Sequence, residues 1–388
     1  MFFNYFAPAR IMFGKGQLNH LYASSLPGRR ALLVVSSGRS IRENGYLGRV
    51  EKQLDLAGVS YVVYDNVQPN PTQSNVMLGS AFANRNACDF VVALGGGSVM
   101  DAAKAIACMA TNDGDLWDYV TGGSGKGKPF LNAPLPVVAI TTTAGTGSEV
   151  NQWAVITREE TNEKIGMGND KVFPVIAVVD PELMLTVPPE LTAYQGFDAL
   201  FHATEGYISK SASPVSDLFA LKAIALIGSS LARTVRNGLD EDARADVALA
   251  NTLSGMLLSI CRITSEHSME HALSAFHPAL PHGAGLLMLS RAYYSHFALS
   301  GVCDEKMIAM AKALGRQTDT AADFVDALVA LQEDCGVADL RMSDYGIRKE
   351  ALPRYVKNAR ETMGELFEMD PVPLSDADCL SIFERSWR

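Results

Sequence analysis

The stretch DFVVALGGGSVMDAAKAIA, residues 89–107, packs a strand, a turn and a helix into one unbroken run. Phe90 to Leu94 are apolar without alternation, as a strand covered on both faces requires. Three glycines follow, and they let backbone N–H groups approach a ligand closely. Met100 to Met109 then show helical spacing, so the glycines lead into a helix N-terminus, whose free N–H groups and positive dipole end suit an anion. Ser98 can add a hydroxyl donor. The pattern is neither G-x-G-x-x-G nor a Walker loop with its lysine. By itself it is a strand-to-helix turn with a capacity for phosphate.

The same grammar extends on both sides. ALLVVSS (31–37), SYVVYDN (60–66), LPVVAITTT (135–143) and VIAVVD (175–180) are further apolar runs, and Arg49–Ala57 and Val76–Asn86 between them have helical spacing. Strand–helix alternation predicts an α/β fold on a parallel sheet. A second loop, TTTAGTGSEV (141–150), also follows a buried strand; Thr142, Thr143 and Thr146 bring hydroxyls, and Gly145 and Gly147 expose backbone. Two such loops at the C-terminal ends of neighbouring parallel strands face one crevice, the place where open α/β sheets bind ligands. Together they predict a nucleotide phosphate site.

From Pro188 onward the strand pattern stops. Helical spacing dominates 192–210, 214–238, 241–263, 283–297, 304–315, 319–335 and a final group to 388. The prolines of VDPELMLTVPPE (179–190) mark a hinge, which predicts an α/β domain over 1–187 and an all-helical domain over 188–388.

Composition narrows the function classes. The 388 residues carry 33 basic and 43 acidic side chains, a formal charge of −10, with no Lys/Arg-rich run. That balance argues against nucleic acid or an anionic membrane as partner. Six cysteines are scattered without a C-x-x-C pair, which predicts free thiols in a reducing compartment. The apolar start MFFNYFAPARIMFGKG is broken by Arg10, and no run reads as the ~18 uncharged apolar residues that span a bilayer. The expectation is a soluble, cytoplasmic small-molecule protein.

The histidines are unevenly placed: five of the seven lie within residues 202–282. GFDALFHATEG (196–206) sets Asp198 and His202 one turn apart, and EHSMEHALSAF (266–276) does the same for His267 and His271. A single such pair reads equally well as a packed or surface pair. Two such helices with a further histidine point to a metal, and a carboxylate with neutral imidazoles suits Fe(II), Zn(II) or Mn(II). His282 follows Pro281 at the start of a helix, where the positive dipole end disfavours imidazolium and keeps a lone pair available.

Taken in order, NPT (70–72), GGGSxxDAAK (95–104), TTTAGTGSE (141–149), VDPEL (179–183), GFDALxHAxEGY (196–207) and HxxxHALSAF…PHG (267–283) resemble the iron-dependent, group III alcohol dehydrogenases along essentially the whole chain. The resemblance implies a Rossmann-like dinucleotide domain, an all-helical domain as in dehydroquinate synthase, and a metal between them. It implies Asp198, His202, His267 and His282 as metal ligands, and His271 beside the substrate as a proton relay. Cofactor contacts carry over to Asn70, Gly96, Gly97, Ser98, Thr142, Thr143, Thr146 and Lys164. The implied reaction moves hydride between NAD(P)(H) and a small alcohol/aldehyde pair while the metal, Fe(II) or else Zn(II) or Mn(II), polarises the substrate oxygen. A homodimer or larger homo-oligomer is implied as well.

Two departures from the family pattern stand out. The HPALP segment brings an extra histidine, His277, which reads as a loop residue rather than a fifth ligand. Ser37 stands where NAD-preferring relatives carry an Asp; without that charge, and with Arg39 nearby, NADP(H) use is expected. Trp153 reads either as a wall of the nicotinamide pocket or as a core aromatic. A glycerol-dehydrogenase-like polyol enzyme and a non-catalytic nucleotide or metal scaffold are the alternatives; a dehydroquinate-synthase-like lyase would need more basic side chains for an acidic substrate.

Overall fold

The structure, a computed structural model, describes residues 3–388. Eight strands are present among them: β1 (Arg10–Phe13), β2 (Arg30–Ser36), β3 (Ser60–Val67), β4 (Phe90–Gly95), β5 (Val137–Thr141), β6 (Trp153–Arg158), β7 (Glu163–Gly168) and β8 (Ile176–Val179). Six form one sheet in the order β1-β8-β5-β4-β2-β3, and its paired strands are all parallel. The reason for the unbroken apolar runs is visible in the packing. Leu32, Val34, Val91 and Ala93 enter one buried cluster, while Leu33, Val35, Val92 and Leu94 enter another. Successive residues of a strand thus point into two cores, and each large side chain contributes about 1.5–3 kcal/mol by leaving water.

Four helices accompany these strands: α1 (Ser40–Glu43), α2 (Tyr46–Leu56), α3 (Gln73–Arg85) and α4 (Gly97–Met109). Thr72 caps α3 by accepting from Asn75 N, in a reciprocal capping box. Helix α4 is buried from Val99 to Met109.

Two features were not foreseen. β1 pairs with β8 at the edge of the sheet, within the stretch read only as an apolar N-terminus. β6 and β7 form a separate antiparallel hairpin, outside the strand–helix alternation, with Asn162 in the left-handed region at its turn.

Beyond Thr186 the chain is helical: α5 (Pro189–Ile208), α6 (Pro214–Arg236), α7 (Glu241–Leu258), α8 (Ser265–Phe276), α9 (His282–Ser300), α10 (Asp304–Ala313), α11 (Ala322–Asp334), α12 (Leu352–Met363) and α13 (Asp376–Ser386). The described residues separate into two compact units. One holds Phe6–Thr143 and Gly147–Thr186; the other holds Ala144–Thr146, Val187–Arg388 and the described residues ahead of Phe6. Helix α6 is long and apolar enough, by length and composition, to cross a membrane, although Asp217 and Lys222 interrupt its apolar run. Half of its most apolar window is buried inside the protein, where the helix packs on α5 and α7.

Candidate active site

Helices α5, α8 and α9 bring four side chains to one point. Asp198 and His202 lie one turn apart on α5, His267 lies near the start of α8, and His282 opens α9 behind its N-cap Pro281. Asp198 Oδ1 stands 3.3 Å from His202 Nδ1, 3.4 Å from His267 Nε2 and 3.5 Å from His282 Nε2. Asp198, His267 and His282 each bring a ligand atom within 4.8 Å of the other two. Asp198, His202 and His267 are buried, and the His282 side chain is 22% exposed.

The loop 144–146 closes over this cluster. A Cβ on Gly145 would come within 2.9 Å of Asp198 Oδ2 and 3.1 Å of Gln195 O, so only glycine permits this approach.

Behind the cluster lie two buried carboxylates that the sequence did not reveal. Glu205 Oε1 accepts from His267 Nδ1, and Glu270 Oε2 accepts from His282 Nδ1. Each bond turns the opposite ring nitrogen, Nε2, toward Asp198 and fixes the tautomer that leaves a lone pair there once the imidazole is neutral.

The electrostatics follow from burial and these contacts. Burial pushes the Asp198 carboxyl upward, but the surrounding imidazoles of His202, His282 and His267 outweigh it and hold the group below the ordinary carboxylate range. Burial pushes His202 down to about 3, against the opposing pull of Asp198, so this ring is neutral. For His267 burial acts downward too, yet the Glu205 and Asp198 carboxylates prevail and raise it to about 10.

The donor set fits a divalent metal. One carboxylate and three imidazoles converge, and the buried His202 Nδ1 has no hydrogen-bond partner among the described residues. Buried polar atoms are ordinarily paired, and a cation supplies what this nitrogen lacks. Borderline metals of the Fe(II), Zn(II) and Mn(II) kind match nitrogen and oxygen donors.

His271, one turn beyond His267, is buried with its ring centre 5.3 Å from that of His282, and its Nδ1 lies 2.9 Å from Met363 Sδ. His277 caps the end of α8 and bonds Tyr355 of α12 at 2.7 Å, as befits a loop residue. Trp153 opens β6, and its ring lies so close over Gly168 of β7 that a Cβ there would meet it at 2.5 Å.

The residues expected to bind cofactor fall in the α/β unit, Thr146 excepted. Gly96 is the N-cap of α4, with Gly97 and Ser98 in its first turn. Gly95 pairs with Thr141, and Thr142 N donates to Gly95 O at 3.0 Å, so the two loops run side by side. A Cβ on Gly96 would meet the Thr143 side chain at 2.8 Å, which explains the glycine. Ser37 follows β2 and donates its N–H to Val67 O at 2.8 Å. Asn70 takes a left-handed backbone, φ 53°. Lys164 is buried on β7 opposite Thr157, and Thr157 bridges to Thr72 beside Asn70. Thr146 sits instead in the short segment that belongs to the helical unit.

A buried polar knot, also unforeseen, braces these loops. Lys104 Nζ donates to Ser148 Oγ at 2.8 Å and to Trp153 O at 2.7 Å, Ser148 Oγ donates to Asp101 Oδ1 at 2.7 Å, and Val155 N donates to Asp101 Oδ2 at 3.0 Å. Burial pushes Lys104 down to about 8 despite the nearby Asp101 and Glu149.

Comparison with known proteins finds relatives along essentially the whole chain. Residues 8–181 match the family described as iron-containing alcohol dehydrogenase, and residues 192–387 match the C-terminal part of the Fe-containing alcohol dehydrogenase family. The chain is 39% identical over 281 residues to alcohol dehydrogenase 4 of Saccharomyces cerevisiae, covering 72% of each chain. It is 33% identical to the 1,3-propanediol dehydrogenase of Klebsiella pneumoniae over 99% of both. The crystal structure of an archaeal halo-thermophilic alcohol dehydrogenase from a Red Sea brine pool superposes with a TM-score of 0.94 at 35% identity, covering 100% of this chain and 99% of that one.

Proposed function

The chain belongs to the iron-containing alcohol dehydrogenase family and is a metal-dependent, NAD-linked alcohol oxidoreductase; on that premise we propose which of its residues do the work. Asp198, His202, His267 and His282 hold the metal, His271 moves the proton, and the turns at Gly96–Ser98 and Thr142–Thr146, with Ser37, Asn70 and Lys164, hold the dinucleotide. The observation that carries this reading is the convergence of three imidazoles on one oxygen, Asp198 Oδ1, at 3.3, 3.4 and 3.5 Å.

When bound, the metal supplies Lewis acidity at the substrate oxygen and NAD supplies the hydride acceptor. The rest falls to the protein. Glu205 and Glu270 orient His267 and His282 through their Nδ1 atoms. The N-terminus of α4 offers N–H groups and a positive dipole end to the pyrophosphate. His271, with Nδ1 facing Met363 Sδ, passes the alcohol proton through Nε2. The substrate is a small alcohol or aldehyde, and the enzyme works as a homodimer or larger homo-oligomer in the cytoplasm.

The test is metal content and NADH absorbance on metal-reconstituted protein, with a panel of short alcohols. His267→Ala and Asp198→Ala should lose bound metal and turnover while keeping helical circular dichroism. Stoichiometric metal in the double variant would overturn the ligand assignment.

A further inference from the structure

Helix α8 carries His267 and His271, yet its own N-cap does not cap it. Thr264 makes no side-chain bond to the first turn. Its hydroxyl donates instead to Glu205 Oε2 at 3.1 Å. The leading N–H groups of a helix need acceptors, and this helix is buried from Ser265 to Ala275, away from water. The acceptors for the first of them come from outside the helix: the Ser265 N–H is shared between Asp370 Oδ1, 105 residues away, at 3.0 Å and the Tyr293 hydroxyl oxygen, itself bonded to Asp370, at 3.1 Å. Asp370 Oδ2 takes the Ser265 hydroxyl at 2.8 Å. Tyr293 of α9 donates its own hydroxyl to Asp370 Oδ1 at 3.0 Å. Asp370 is fully buried, and the preceding carbonyl, Met369 O, accepts from Lys210 N, just beyond α5, at 2.9 Å.

We propose that Asp370 is the positioning residue of the metal centre: by capping α8 from outside, it sets the register of His267 against Asp198 and so the affinity for the metal. The contacts tie together α8 through Ser265, α9 through Tyr293 and the end of α5 through Met369. Those three helices carry all four proposed ligands. Ser265 is in the first turn of α8, as His267 is, so any relaxation of that turn displaces the imidazole. Metal–nitrogen bonds tolerate only about 0.2 Å of misplacement. The inference rests on the ligand assignment given above.

The experiment measures metal affinity by chelator competition, alongside thermal stability, on the full chain. Asp370→Ala should weaken metal binding roughly 10–100-fold, the range for lost support of a ligand. Asp370→Asn keeps an acceptor for the Ser265 N–H and should restore near-wild-type affinity. Leu33→Ala, in the core of the α/β unit, should lower the melting temperature without changing metal affinity. Wild-type affinity in Asp370→Ala, or an equal loss in Leu33→Ala, overturns the proposal. Should Asp370→Ala fail to fold, Ser265→Ala removes the hydroxyl contacts to Asp370 Oδ2 and Tyr293, loosens the cap and must still weaken the metal; unchanged affinity there also overturns it. His267→Ala separates the two levels. If it retains stoichiometric metal, the ligand assignment has failed; if it loses metal while Asp370→Ala does not, only the capping role has.

Discussion

Glu205 Oε1 accepts a hydrogen bond from His267 Nδ1, joining two buried side chains that lie 62 residues apart in sequence. Glu205 shares a helix with Asp198 and His202, so one helix supplies two of the proposed ligands and the carboxylate bonded to a third. Its other oxygen accepts from Thr264, directly ahead of α8. Glu270 repeats the arrangement from α8 to His282. The proposed ligands are therefore cross-braced between helices.

Glu205→Gln keeps the shape of the side chain but replaces a charged acceptor with a neutral amide. His267 Nδ1 then keeps a neutral acceptor but loses the carboxylate charge that raises the basicity of the ring, and metal affinity should fall roughly 10–100-fold. Chelator competition measures it, with bound metal at saturating concentration as a control for folding. Affinity equal to wild type would show that Glu205 does not orient the ligand.

Gly145→Ala tests the close approach of the loop to Asp198. The added methyl would stand 2.9 Å from Asp198 Oδ2 and 3.1 Å from Gln195 O, and a backbone atom on a helix cannot simply move aside. The carboxylate or the loop must shift, so the variant should bind metal more weakly while losing only about 1–3 kcal/mol of stability, the usual cost of overpacking. Titration with metal and thermal melting report the two effects separately. Normal affinity would mean that the loop yields rather than Asp198.

His271→Ala should keep the metal and slow turnover roughly 10²–10⁴-fold, the range for a lost general acid or base. Its Nδ1 faces Met363 Sδ, and it stands beside the proposed ligand His282 rather than among the nitrogens around Asp198 Oδ1. Metal content that falls as steeply as activity would make His271 a ligand instead.

How much of this was legible depends on where each residue's partner lies. Strands β2, β4 and β5 announce themselves because both faces are buried and every residue must be apolar. β1 did not, since it is an edge strand whose Arg10 and Ile11 are exposed. The β6–β7 hairpin was hidden because the charged Glu163 and Lys164 interrupt any apolar run. Glu163 is buried there because Ser124, Thr161 and Trp117 donate to it. Among the site residues, Asp198, His202, His267 and His271 show as turn-spaced pairs of metal-binding types. Glu205, Glu270 and Asp370 do not, because a lone acid in a helical or loop pattern looks like a solvated residue. Only tertiary contact reveals what it holds.

Cofactor choice tests the α/β unit. Ser37 follows β2 with its N–H committed to Val67 O, and its side chain brings no negative charge to repel a 2′-phosphate. Arg42 is engaged by Asp65 at 2.7 Å, whereas Arg39 is exposed and its guanidinium has no partner among the described residues. Gly38 leaves room beside them, since a Cβ there would meet only Ser36 Oγ at an ordinary 3.6 Å. A charge-assisted bond from Arg39 to a 2′-phosphate is worth about 1.5–3 kcal/mol. The enzyme should therefore accept NADP(H) at least as well as NAD(H). Ser37→Asp should reverse this by placing a carboxylate against the phosphate, while still offering an acceptor to the ribose hydroxyls of NAD. Arg39→Ala should weaken NADP(H) alone. Measuring kcat/KM for both cofactors on all three proteins decides it: a wild-type preference for NAD of more than about tenfold, equivalent to 1.4 kcal/mol, would show that Ser37 and Arg39 do not govern the choice.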